Sequence, residues 1–167
     1  MTNRSTVVAL AVVVGVVALG GQEGGNAKYT PTRISKAIEL LAKDQPIYYA
    51  QVNGGGYEEG KQLAQTWADY ITYNLEHSPF DTTNLRAFMQ GLVDGGPTKS
   101  GHRTPTVIAV LPFGGFNEEV MWANTWIVEH ILGSGVHGVL LAHARTPEAV
   151  RVLVQASRYP HVPVAGG

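Results

Sequence analysis

Along residues 32–43 the apolar positions Ile34, Ala37, Ile38, Leu41 and Ala42 recur at i, i+3, i+4, i+7 and i+8, the spacing of a helix with one buried stripe. Thr30 or Thr32 stands near its cap, and Pro46 follows its end. The pattern then changes to short apolar runs separated by turns. Residues 47–52 read as a strand closed by Asn53-Gly54-Gly55-Gly56, and a helix is predicted from Tyr57 to about Trp67. Residues 70–75 form a second strand, followed by a helix whose stripe is Leu85, Phe88, Met89, Leu92 and Val93. A third strand, 106–111, is stopped by Pro112 and the Gly114-Gly115 turn, and Val120, Ala123, Ile127 and Ile131 face inward on a single helix after it. Residues 138–141 are the fourth strand. Its helix opens at Thr146-Pro147-Glu148, a residue able to cap followed by proline in the first turn, and runs to about Arg158.

Four consecutive βα units with strands too apolar to face water predict an α/β fold built on a parallel sheet covered by helices. Periodicity leaves open whether the sheet is doubly wound or part of a closed barrel. In both, the active site lies at the carboxyl ends of the strands. That rule singles out Asn74, Glu76 and His77 after the second strand.

Composition narrows the function. The 167 residues carry 12 Lys+Arg against 13 Asp+Glu, and only 15% are charged, so no basic stripe is present and no nucleic-acid partner is expected. With no cysteine, disulfides, thiolate metal sites and a cysteine nucleophile are excluded. Val7 to Leu19 is an unbroken apolar run with Arg4 the only charge before Glu23, the layout of a signal peptide that is too short to span a bilayer. Ala18 and Gly20 place cleavage after Gly20, which gives a signal over 1–20, a Gly-rich linker over 21–31, a barrel portion over 32–167, and a secreted or periplasmic protein. The glycine-rich stretches 53–56 and 91–100 lack the order of a nucleotide fingerprint and read as loops. His130, His137 and His143 fall on a helix, before a strand and after it, without the shared helical face of a zinc pair. Glu76 and His77 remain as a carboxylate beside an imidazole able to move a proton near neutral pH, or as a loop-capping pair.

The segment Ala68-Asp69-Tyr70-Ile71-Thr72-Tyr73-Asn74-Leu75-Glu76-His77-Ser78-Pro79-Phe80-Asp81 resembles the Asp-x-Glu-His-x-Pro signature of the HpcH/HpaI aldolase/citrate lyase family. Leu132-Gly133-Ser134-Gly135-Val136-His137-Gly138-Val139-Leu140-Leu141, the following Thr146-Pro147-Glu148-Ala149 and the ending Ala156-Ser157-Arg158-Tyr159-Pro160 are similar to a second stretch of that family. The resemblance implies a (β/α)8 TIM barrel, of which this chain holds about four βα units. It further implies a metal-dependent carbon–carbon lyase acting on 2-oxo acids such as 4-hydroxy-2-oxo acids, which joins or splits a 2-oxo acid and an aldehyde. His77 corresponds to the acid/base residue, with Glu76 and Asn74 as substrate-binding neighbours. A divalent metal, Mg2+ or Mn2+, is implied, its ligands lying beyond Arg158-Tyr159-Pro160 and outside this chain, and a homo-oligomer is expected. Two positions depart from the family pattern. Asn74 stands where an aspartate is expected, and Ala109-Val110-Leu111-Pro112 lacks the arginine that would hold a substrate carboxylate. A non-catalytic relative that binds a small carboxylate, or an inactive fragment, is the alternative reading.

Overall fold

The structure is a computed structural model that describes residues 30–158. The signal, most of the linker and the Tyr159-Pro160 ending fall outside the described residues. Ten elements follow one another: α1 (Lys36–Leu41), β1 (Tyr49–Val52), α2 (Tyr57–Leu63), β2 (Tyr70–Asn74), α3 (Thr82–Asp94), β3 (Thr106–Val110), α4 (Glu118–Ala123), α5 (Thr125–Gly133), β4 (Gly138–Leu140) and α6 (Pro147–Ala156). The strands are all parallel and lie in the order β1-β2-β3-β4. Because each right-handed crossover steps to the next strand in the same direction, every helix after a strand lands on one face of the sheet. A doubly wound sheet reverses its order; this one does not. The α/β architecture is therefore that of a partial barrel of four βα units.

Register separates the two faces. Ala50, Ile71 and Val107 align in one row and Val52, Tyr73, Ala109 and Val139 in the next, pointing toward the helices. With Leu75, Leu85, Phe88, Leu92, Leu111, Val128 and Ile131 most of them form the main buried cluster. The opposite face carries Tyr49, Tyr70 and Thr106, then Gln51, Thr72, Ile108 and Gly138, then Asn74, Val110 and Leu140. These are the layers of a barrel interior, taken here from half its circumference. The α2–α3 crossing is close because Gly91 has no side chain: a Cβ there would collide with the carbonyl of Tyr57.

Two helices differ from the sequence expectation. The first begins at Ser35, whose hydroxyl accepts from Ile38 N at 3.3 Å, later than either Thr30 or Thr32. Of its predicted stripe only Ala37 is buried: Ile34, Ile38, Leu41 and Ala42 are exposed, and the polar Glu39 is buried instead. Polar partners set this orientation. Glu39 Oε2 lies 2.9 Å from His102 Nε2, Glu39 Oε1 accepts from Thr32 N and Oγ1, and Ser35 Oγ lies 3.0 Å from Thr106 Oγ1. A buried carboxylate without such partners would be costly, so rotating Ile38 inward would sacrifice more than it gains. The predicted single helix after β3 is two, α4 and α5, because the side-chain amide of Asn124 donates to the Val120 carbonyl at 2.7 Å and competes with helix propagation. Ala123 is consequently exposed. Among the described residues, no helix is long and apolar enough to cross a membrane.

Candidate active site at the carboxyl ends of the strands

Strand β2 delivers Asn74 into a turn that its own side chain builds. Asn74 Oδ1 accepts from the backbone N–H of Glu76 at 2.9 Å and of His77 at 3.1 Å, while its amide donates to Asn53 Oδ1 at 3.3 Å. Gln51 donates to the same Asn53 oxygen at 2.9 Å, and Ser78 Oγ donates to the Asn74 carbonyl. An Asx-type turn of this kind fixes the direction in which the next two side chains leave the strand. Asn74 itself is buried, and both ends of its amide are engaged.

Glu76 and His77 emerge from that turn together. Glu76 Oε2 lies 3.6 Å from His77 Nε2, and Glu76 Oε1 lies 3.0 Å from Nε2 of His143, which belongs to the loop after β4. One carboxylate thus sits between two imidazoles. Its side chain is 20% exposed, against 73% for His77 and 62% for His143, so a screened carboxylate supports two rings that reach solvent.

The loop carrying His143 is clamped to the loop after β3. Gly115 N donates to Ala142 O at 3.0 Å and Arg145 N donates to Gly115 O at 2.8 Å. The two segments approach so closely that a Cβ on Gly115 would meet Leu141 and Ala144. Within this clamp His143 adopts φ 52°, the left-handed region that non-glycine residues enter uncommonly. Its ring stacks on Phe116 at 6.5 Å between centroids, and the Arg145 guanidinium lies over the same Phe116 ring at 4.7 Å.

Tyr73, next to Asn74, turns the other way. Its hydroxyl donates to Gly55 O at 2.8 Å, and its pKa is pushed up to about 12, first by burial and then by the negative charges of Asp81 and Glu59. It stays protonated near neutral pH and braces the β1–α2 loop.

Glu76 and His77 are therefore brought together as adjacent groups at the sheet end, with Asn74 beneath them. His143 joins them although sequence reading set it aside with His130 and His137. Those two lie apart: His130 packs against Trp126, and His137 Nδ1 accepts from Val107 N at 3.0 Å. The rule that directed attention to the end of the second strand would have found His143 if applied to the fourth. Among the described residues, no three His, Asp or Glu side chains form a group that could hold a metal ion. Glu76 and its two histidines fit an acid/base unit better than a coordination sphere, since the carboxylate oxygens are already directed at the imidazoles.

No family model matches the chain, and no curated protein does. Among solved structures, it is similar to an HpcH/HpaI aldolase/citrate lyase family protein from Burkholderia cenocepacia J2315, with a TM-score of 0.57 and 17% identity. The similarity covers 75% of this chain and 44% of that one, so the chain spans less than half the length of the protein it matches. The two share a fold.

Proposed function

We propose that the chain is the amino-terminal part of a carbon–carbon lyase that splits 4-hydroxy-2-oxo acids into a 2-oxo acid and an aldehyde, with His77 as the acid/base group. The observation that carries the reading is the Glu76 carboxylate held between His77 and His143 at the carboxyl ends of the strands. The fold shared with an aldolase/citrate lyase family protein and the motif resemblance around His77 support the substrate class.

In this reading His77 takes the proton of the C4 hydroxyl. The C3–C4 bond breaks, the aldehyde departs, and the electron pair moves to the C2 oxygen as an enolate, which becomes pyruvate when protonated His77 delivers its proton to C3. Glu76 orients the imidazole through the 3.6 Å contact with its Nε2. Asn74, expected to contact substrate, serves as the positioning residue that fixes the Glu76 and His77 backbone. A divalent metal would stabilise the developing oxygen charge as a Lewis acid, but the described residues supply no ligand set for it. Self-association is proposed on a separate basis: among the described residues β1 and β4 are edge strands, and Tyr49 and Leu140 on the inner face are exposed.

The test is pyruvate release from a 4-hydroxy-2-oxo acid in the presence of Mg2+ or Mn2+, comparing the protein with His77→Ala. A fall of about 10²–10⁴ in kcat with an unchanged melting temperature supports the role. Equal activity in both removes His77 from the mechanism. Absence of turnover from the unsubstituted protein favours the non-catalytic, carboxylate-binding alternative.

A further inference from the structure

Arg145 has no ion pair and no side-chain hydrogen bond among the described residues. Its guanidinium is nonetheless placed: the backbone N–H of Arg145 is bonded to Gly115 O, and the guanidinium carbon lies 4.7 Å from the centre of the Phe116 ring. A guanidinium held over an aromatic ring by cation–π attraction keeps its N–H donors for other partners, and that fork matches the two oxygens of a carboxylate. Two other cations are committed elsewhere. Lys36 pairs with Asp69 at 2.6 Å and Arg86 donates to Gly133 O at 3.3 Å, both at the opposite ends of the strands.

Phe116 links Arg145 to the acid/base group. The same ring that carries the guanidinium stacks with His143, and His143 Nε2 contacts Glu76. A cation with unused donors therefore stands one aromatic ring away from the imidazoles, on the same clamped loop.

We propose that Arg145, oriented by Phe116, binds the carboxylate of the anionic substrate at the mouth of the sheet. The inference rests on the 2-oxo acid reading for its ligand class, but it concerns binding and does not require turnover. Arg145 acts as a specificity residue. Glu76 repels an anion that enters the mouth unaccompanied, so a fixed guanidinium also decides which end of the substrate faces the histidines.

Isothermal titration with pyruvate, and separately with its alcohol analogue hydroxyacetone, which lacks the carboxylate, tests the proposal on the unsubstituted protein, Arg145→Gln, Arg145→Lys and Phe116→Leu. Arg145 is exposed, so its replacements are expected to melt with the unsubstituted protein. The expected result is that Arg145→Gln weakens pyruvate binding at least tenfold, Arg145→Lys and Phe116→Leu weaken it less, and hydroxyacetone binds no more tightly to the unsubstituted protein than to Arg145→Gln. Pyruvate binding that is unchanged in Arg145→Gln overturns the inference, as does a lack of pyruvate binding by the unsubstituted protein. Arg145-dependent pyruvate binding without any lyase turnover retains the inference and overturns the lyase reading. Turnover that depends on His77 but is indifferent to Arg145 does the reverse.

Discussion

His143 Nε2 lies 3.0 Å from Glu76 Oε1, so side chains from the ends of β2 and β4 meet across β3, which separates the two strands in the sheet. The contact depends on a backbone conformation that histidine rarely adopts. It is held by two hydrogen bonds between the β3 and β4 loops.

That constraint yields a paired prediction. His143→Gly and His143→Ala both remove the ring, the Phe116 stack and the Glu76 contact, but only alanine must still occupy the left-handed region. The glycine variant should be more stable than the alanine variant by about 1 kcal/mol, and the two should be equally impaired in any activity. Chemical denaturation of both variants checks the difference. Alanine equal to or more stable than glycine would show that the loop relaxes out of its positive φ.

At the other end of the sheet, Glu39 and His102 are a buried pair, with side chains 4% and 1% exposed. Removing one partner leaves the other buried, so Glu39→Ala is expected to cost about 3–5 kcal/mol. Replacing both with leucine should recover much of that loss, because two apolar side chains carry no desolvation penalty. Pyruvate binding should survive in the double variant, since the pair lies at the amino ends of the strands. A double variant no more stable than Glu39→Ala contradicts this account of how α1 is held.

Burial lowers the pKa of His137, whose Nδ1 accepts from Val107 N and is thereby suited to the neutral ring. The unfolded chain binds a proton at this residue as pH falls below about 6.5, whereas the folded protein resists it to lower pH. Its contribution to stability is therefore complete above about pH 6.5 and is lost as pH falls through the lower, folded pKa. Denaturation midpoints measured from pH 8 down to pH 5 should decline less steeply for His137→Asn than for the unsubstituted protein. Parallel profiles would mean that His137 does not contribute to the acid sensitivity.

The strand–helix alternation was readable because buried parallel strands are continuous apolar runs bounded by turns, and the capped start of α6 at Thr146 follows from Thr-Pro-Glu, with Thr146 Oγ1 accepting from Ala149 N at 3.2 Å. The end of β2 was readable for the same reason, and so Asn74, Glu76 and His77 could be named together. What was not legible depends on partners distant in sequence. Nothing near Glu39 announces that His102 will pair with it, and without that knowledge the stripe of Ile34, Ile38 and Leu41 is the natural choice for the buried face. His143 was obscured by grouping histidines according to their spacing in the chain, although its partner is a carboxylate two strands away.

In the proposed mechanism His77 returns its proton to C3 of the pyruvate enolate, and the most direct measurement isolates that step from aldehyde chemistry. Pyruvate incubated in D2O with Mg2+ is followed by proton NMR for loss of its methyl signal. The account predicts exchange catalysed by the unsubstituted protein and slowed by about 10² or more in His77→Ala, with the fold intact by circular dichroism. Exchange at the same rate in His77→Ala would contradict it.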